Sequence, residues 1–220
     1  MEEQELCVPP QARVAFAQIE SYMPAIPLLA ILSGPSGAGK DSVVKRMREL
    51  NYPFHFVVTV TDRPPRREEV DGVDYHFVST AAFKKMIADD QLFEHALVYG
   101  QHKGVPKAPV LRALSSGVDV IMRLDVQGAA TVRRPVPEAL TIFLVPPSLD
   151  VLIDRLRRRG GDSPGQILER LDSVLEEIGR IRKFDYVVVN REGRLDETVE
   201  QIADIISAEK RRTARRKVIL

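Results

Sequence analysis

The stretch Gly34-Pro35-Ser36-Gly37-Ala38-Gly39-Lys40 follows the pattern G-x-x-x-x-G-K and comes directly after the apolar run 26–32. Its glycines let successive backbone N–H groups turn inward around an anion. A helix starting near Lys40 adds its positive end, and the lysine reaches the outer phosphates of a bound nucleotide. Asp41 departs from the pattern. Phosphate loops normally carry Ser or Thr after the lysine, whose hydroxyl helps hold Mg²⁺, and here Ser42 comes one place later. Three arrangements are open: Asp41 ligates the metal directly, binds it through water, or leaves it to Ser42. A plainer role is that Asp41 only favours the first turn of the helix.

A second set of residues suits another phosphate. Arg63-Pro-Pro-Arg66 holds two guanidinium groups three residues apart on a stretch that prolines keep extended, and Tyr75 adds a hydroxyl donor. Each guanidinium is a rigid donor fork that fits a phosphate monoester. A third set, Arg155, Arg157, Arg158, Arg159 and Arg170, lies within 149–183. Two helices joined by the glycines 160–161 would make a hairpin lid there, bringing arginines in and shutting water out. Phosphoryl transfer asks for little more than in-line placement, dehydration and positive charge on the equatorial oxygens.

Elements that position these sets follow from periodicity. Strands are expected over 28–33, 55–61, 118–124, 140–145 and 186–189, mostly short apolar runs of the kind buried in a parallel sheet. Helices are expected over 40–50, 106–115, 128–133, 149–159, 164–183 and 195–208, with Ser163 as cap and Pro164 as first residue of the long one. The alternation gives an α/β fold with an open parallel sheet. Residues 63–104 break that rhythm with an Asp71-Gly72 turn, strands over 75–78 and 92–99 and a helix over 81–88. They read as a small mixed α/β insert that binds the acceptor. The chain therefore divides into a lead (1–25), a core (26–62, 105–148 and 184–209), the insert (63–104), the lid (149–183) and a basic tail (210–220). In the lead, Val14, Phe16 and Ile19 suit a short amphipathic helix.

At 220 residues, 44% hydrophobic and 29% charged, the chain has the composition of one globular domain. The net charge is +1, but the last eleven residues carry +6 and leave −5 for the rest. That tail is expected to be a solvated, frayed terminus, and nucleic acid is not expected as a partner. Cys7 is the single cysteine and excludes an internal disulfide. No segment is long and apolar enough for a membrane helix. A cytoplasmic location is expected, although a processed organellar protein would read the same way.

The motifs together resemble the guanylate kinases of the nucleoside-monophosphate kinase superfamily, over about 26–208. The matching stretches are 33–40, 63–66, Glu69-Val-Asp-Gly-Val-Asp-Tyr-His-Phe-Val-Ser79, Asp125-Val-Gln-Gly128, 146–148, 155–160 and Val189-Asn190. The 69–79 stretch is the most specific. The Gly-Lys-Asp start and the Lys103-Gly-Val-Pro-Lys107 pattern resemble the plant organellar subgroup. The resemblance implies a P-loop NTPase type of sheet and the reaction ATP + GMP to ADP + GDP with Mg²⁺, dGMP being accepted too. It puts Lys40, Arg155 and Arg170 on the transferred phosphoryl group. ATP falls on Gly34 to Ser42, with Arg159 and Asn190 nearer its base. Arg63, Arg66 and Tyr75 grip the GMP phosphate, while Thr59 and Glu94 read the guanine. Lys103 can still serve the GMP phosphate, and Asp125 lies near both GMP and the metal, for which Asp41 and Ser42 remain the alternative loop ligands. Guanine offers N1–H and the 2-amino group to one carboxylate, and adenine would leave that carboxylate unpaired.

Three positions depart from the family. Lys103 stands where a tyrosine is usual, and Val105 where a hydroxyl is usual. Arg123 stands two places before Asp125, where a second acid is frequent, so Asp41 and Arg123 read as compensating changes. Two other functions stay open: a non-catalytic guanylate-kinase-like interaction module, and a relative acting on a phosphorylated ribose. Monomer and homodimer are both compatible with the sequence.

Overall fold

The computed structural model describes residues 9–19, 26–98, 100–158, 164–214, 216 and 218. Cys7, Arg159, the 160–163 turn with the Ser163 cap, Arg215 and Lys217 lie outside the described residues. The chain opens with α1 (Pro10–Ala17), β1 (Leu29–Ser33), α2 (Lys40–Glu49), β2 (His55–Phe56), β3 (Thr59–Thr61) and β4 (Tyr75–Phe77). It continues through α3 (Thr80–Ala88), β5 (Leu92–Val98), β6 (Gln101–Pro106), α4 (Lys107–Ser115), β7 (Val120–Arg123) and α5 (Val126–Arg133). The last elements are β8 (Leu140–Val145), α6 (Leu149–Arg158), α7 (Pro164–Gly179), β9 (Tyr186–Val189) and α8 (Leu195–Lys210).

The main sheet has the order β2-β7-β1-β8-β9, and its strands run parallel. β1 sits at its centre, with Leu29 opposite Val120 and Ala30 opposite Leu140. Alternate β1 side chains leave opposite faces, and helices cover both. Ala30 and Leu32 pack with Val43, Met47, Val199 and Ile202, while Leu29 and Ile31 pack with Val110, Ala129 and Val132. Two covered faces are why the run before the glycine loop has no polar alternation. Each fully buried Leu or Ile contributes roughly 1.5–3 kcal/mol, so β1 is a firm base for the loop that follows it.

A second sheet, in the order β4-β3-β6-β5, carries Thr59, Tyr75, Glu94 and Lys103. The single strand expected over 55–61 is in fact two. His55 and Phe56 pair with β7, the Val57 N–H still donates to Ile121 at 3.0 Å, and Thr59–Thr61 then joins β4 and β6. An unbroken apolar run carries no sign of a change of sheet, since both sheets bury it. β6 was not expected at all, and it takes 101–106 into the second sheet. The long helix ends at Gly179 and is followed by a 3₁₀ turn, Ile181–Lys183. α1 has no buried residue, and Val14 and Phe16 are exposed.

The described part of the basic tail is not frayed. Lys210 reaches Asp119 at 2.6 Å, and Asp119 also accepts the Leu28 N–H at 2.8 Å, at the entrance to β1. Arg216 donates from Nε to Glu209 at 2.8 Å and lies 3.4 Å from Asp185. Glu209 is buried and also accepts from the Tyr186 hydroxyl at 2.6 Å. Charge counting along the chain could not reveal that folded carboxylates face the tail. Burial alone would raise the Glu209 carboxyl, but the Tyr186 and Arg216 donors outweigh it and hold the group below the usual carboxylate range. A depressed folded-state value gives stability that is present above the unfolded value and lost as pH falls through the folded one. Glu209→Gln is therefore expected to lose ~1–3 kcal/mol at pH 7 and to lose less than the parent on going from pH 6 to pH 3. Urea unfolding at several pH values checks both parts; parallel pH profiles would contradict them.

Candidate active site

The loop between β1 and α2 takes its shape from glycine. Gly34 has φ +138°, and a Cβ there would stand 2.1 Å from the Leu144 carbonyl oxygen at the end of β8. Gly39 has φ +95°, and its Cβ would stand 2.2 Å from Asn190 Nδ2, just past β9. Both positions combine a left-handed backbone with contact too close for any side chain. Asn190 is buried and uses its amide on the loop, donating to the Ala38 carbonyl at 2.9 Å, while its Oδ1 accepts from Thr198 at 3.3 Å. Lys40 lies across the loop and donates to the carbonyls of Gly34 and, at 3.0 Å, Pro35. Burial lowers its ammonium pKa, and Asp41, Glu177 and Asp125 oppose that.

Two lid arginines already sit on the loop. Arg155, from α6, donates to Ala38 at 3.3 Å and to the Asn190 carbonyl at 2.9 Å. Arg170, from α7, reaches the Ser36 hydroxyl at 3.4 Å. Leu152 and Leu156 face Gly37, whose missing side chain leaves them room. Arg158 pairs at the surface with Glu192 at 3.2 Å.

The residues expected to take the acceptor share with the loop a cleft of about 940 Å³, at the upper end of ordinary ligand sites. Arg63 is buried and forks onto Glu69 with two 2.6 Å contacts, its guanidinium 4.7 Å from the Tyr75 ring centroid. Arg66 donates its backbone N–H to the same carboxylate at 2.8 Å. Thr59 stands opposite Tyr75 in the β3–β4 register. Glu94, on β5, is 4% exposed. Its pKa is pushed up to about 8, mainly by burial and secondly by Asp125. Gly128 makes room for it, since a Cβ there would stand 3.0 Å from Glu94 Oε1. Asp125 caps α5 by accepting the Gly128 N–H at 2.8 Å. Lys103, on β6, has its pKa brought down to about 8, chiefly by burial.

The cleft thus gathers Gly34 to Gly37, Gly39 to Ser42, Thr59, Arg63, Arg66, Tyr75, Glu94, Lys103, Asp125, Arg155, Arg170 and Asn190 along its walls. Val105 is instead fully buried in the core, so its lack of a hydroxyl does not alter the cleft wall. Ala38 is buried beneath the loop, and Arg159 lies outside the described residues. Three further residues belong to the site. Glu69 carries Arg63, Arg123 pairs with Asp41, and Glu177 reaches the loop from α7. Burial raises the Glu177 carboxyl, against the pull of Lys40 and of the Ser36 N–H. Its spacing of seven from Arg170, two helical turns on one face, was a signal in the sequence that could have found it.

Oxygen donors suited to a hard cation line the loop side: Ser42, Asp41 and Asp125. Among the described residues no cluster of three or more His, Cys, Asp or Glu forms a closed metal cage. That donor set fits Mg²⁺, which usually keeps several waters and relies on substrate phosphates.

A phosphate loop after the central strand of a parallel sheet, facing a second anion grip beneath a helical lid, defines a P-loop kinase. The sequence profile described as guanylate kinase matches residues 27–209. The chain is 45% identical over 196 residues to guanylate kinase 2, chloroplastic/mitochondrial, of Oryza sativa subsp. japonica, covering 89% of this chain and 69% of that one. It is 46% identical over 187 residues to a guanylate kinase of Thermus thermophilus, covering 85% and 84%. The crystal structure of guanylate kinase from Anaplasma phagocytophilum superposes with a TM-score of 0.72 at 30% identity, over 88% of this chain and 92% of that one. The chain belongs to the guanylate kinase family.

Because Asn190 clamps Ala38, Asn190→Ala should lower stability by ~1–2 kcal/mol and raise the KM for the nucleoside triphosphate. An unchanged urea midpoint would mean that Arg155 alone holds that carbonyl.

Proposed function

We propose that the chain transfers the γ-phosphoryl group of ATP to GMP, and to dGMP, giving ADP and GDP. A phosphate oxygen of GMP attacks the γ-phosphorus in line, and the bond from that phosphorus to the β–γ bridging oxygen breaks. The observation that carries this reading is the buried Glu94 in the same cleft as the Lys40 loop. A carboxylate there accepts guanine N1–H and the 2-amino group together, and Thr59 donates to O6. Arg63, Arg66, Tyr75 and Lys103 neutralise the acceptor phosphate, with Asp125 beside them.

Loop N–H groups from Gly34 to Gly39 and Lys40 hold the donor phosphates. Arg155 and Arg170 bring positive charge from the lid to the moving group, and the closed lid keeps water away. Arg159 serves the donor base, and Asn190 supports the ATP site by holding the loop at Ala38. Mg²⁺ bound with ATP would be held from the protein side by Ser42 and Asp125, and it would neutralise charge on the donor phosphates. Lys40, Arg155 and Arg170 support the enzyme reading over a non-catalytic interaction module. Thr59 and Glu94 favour a guanine acceptor over a phosphorylated ribose. A coupled ADP-release assay with GMP, dGMP, AMP, CMP and UMP tests the proposal, and turnover with AMP equal to that with GMP would refute it.

The raised Glu94 pKa of about 8 gives this reading a pH signature. At pH 7 the empty site holds Glu94 mostly protonated, and pairing with guanine needs it ionised, so GMP binding should release close to one proton. GMP affinity should rise as pH climbs toward about 8, then fall as Lys103, also near 8, loses its charge. Calorimetry in buffers of different ionisation enthalpy measures the proton. Glu94→Gln should abolish its release and weaken GMP far more than ATP.

Arg66→Ala should raise the KM for GMP about tenfold or more, by loss of a charge-assisted contact. Wild-type kinetics at subsaturating GMP would assign Arg66 to a solvated turn.

A further inference from the structure

Arg123 ends β7 two residues before Asp125 and lines the cleft with Lys40 and the acceptor grip. Its Nη1 donates to Asp41 Oδ1, and its Nη2 donates to the Asp74 carbonyl at 3.1 Å. Its guanidinium lies 4.6 Å from the Tyr75 ring centroid, against 4.7 Å for that of Arg63. Asp41, Arg123 and Tyr75 therefore repeat, on the phosphate-loop side, the arrangement that Glu69, Arg63 and Tyr75 make on the other. In both, a carboxylate carries a guanidinium fork against the same aromatic ring.

An ion pair kept for stability alone is poorly served by this placement. The Arg123 side chain is 11% exposed and that of Asp41 54%, so a largely desolvated cation is matched to a well-solvated anion. The fork has five N–H donors, and these two contacts leave donors for an anion. Its charge also opposes protonation of Lys40, so the two cations act on one small volume. Acceptor and donor phosphates must meet in that volume.

We infer that Arg123 is a fourth cation of the acceptor-phosphate site, beside Arg63, Arg66 and Lys103, and that Asp41 is the positioning residue that holds it there. The inference rests on GMP being the acceptor. Positions 41 and 123 then form one device: the loop gives up the usual hydroxyl after its lysine and gains an anchor for an extra arginine. Arg123 takes up negative charge on the acceptor phosphate, easing the approach of its oxygen to the γ-phosphorus.

Calorimetric titration of GMP into the full chain in EDTA, without ATP, isolates this role from the metal. Arg123→Gln is expected to weaken GMP binding about tenfold or more, and Arg123→Lys to fall between it and the parent. Asp41→Asn should weaken GMP less, and the double variant should be no worse than Arg123→Gln alone. In steady-state assays Arg123→Gln should raise the KM for GMP and leave that for ATP near the parent value. The inference is overturned by parental GMP affinity in Arg123→Gln, or by effects at 41 and 123 that add in full. It is also overturned if Asp41→Asn moves only the Mg²⁺ midpoint of the rate, which would return Asp41 to the metal. Should Arg123→Gln prove unfolded by circular dichroism, Arg123→Lys and Asp41→Asn carry the same comparison. If the parent protein itself does not bind GMP, the acceptor reading falls first and this inference falls with it.

Discussion

Between the ends of β1, β8 and β9, the phosphate loop is pressed so closely on its neighbours that a single methyl group has no room at Gly34 or Gly39. The Leu144 carbonyl oxygen and the Asn190 amide stand 2.1 and 2.2 Å from where those carbons would be. This close contact, with backbone at Gly34 and with a side-chain amide at Gly39, sets the direction of the loop N–H groups, and much of the site is referred to it. Lys40 is laid across the loop carbonyls, Arg155 and Asn190 converge on Ala38, and Arg170 reaches Ser36. The lid is thereby registered on the loop through hydrogen bonds and through the leucines that fill the space beside Gly37.

Around that frame, the cleft holds its charges in opposed pairs. Arg63 rests on Glu69, Arg123 on Asp41, and Glu177 faces Lys40. A guanidinium fixed by a carboxylate loses less freedom when a phosphate arrives than one swinging in water, so the cost of ordering is met during folding. The same burial lifts the carboxyls of Glu94 and Glu177 and lowers the ammonium groups of Lys40 and Lys103. Each shift marks a group whose charged form burial disfavours, and such groups gather at ligand sites.

The two sheets divide this labour. The parallel sheet, covered on both faces, holds the loop and the strand ends that bear Arg123 and Asn190. The smaller sheet presents Thr59, Tyr75, Glu94 and Lys103 from four different strands, and its registers set their spacing. β3 follows β2 after only two residues, so the two sheets are tied by a short covalent link.

By itself the sequence determined the phosphate loop and the parallel α/β sheet, and it pointed to the residues proposed for the acceptor grip. Those features are local: a glycine pattern after an apolar strand, strand–helix alternation, and short motifs whose residue types already specify their ligands. It also exposed Asp41 and Arg123 as two departures from one pattern. Only the tertiary structure decided that these two residues touch, because they lie on different elements brought together by the β1–β7 pairing. It alone split the 55–61 run between two sheets, since burial on both sides erases the alternation that would mark the change. It alone put Val105 in the core and tied Lys210 and Arg216 to buried carboxylates. Non-local charge pairing leaves no periodic trace in a sequence, whereas backbone geometry and apolar faces do.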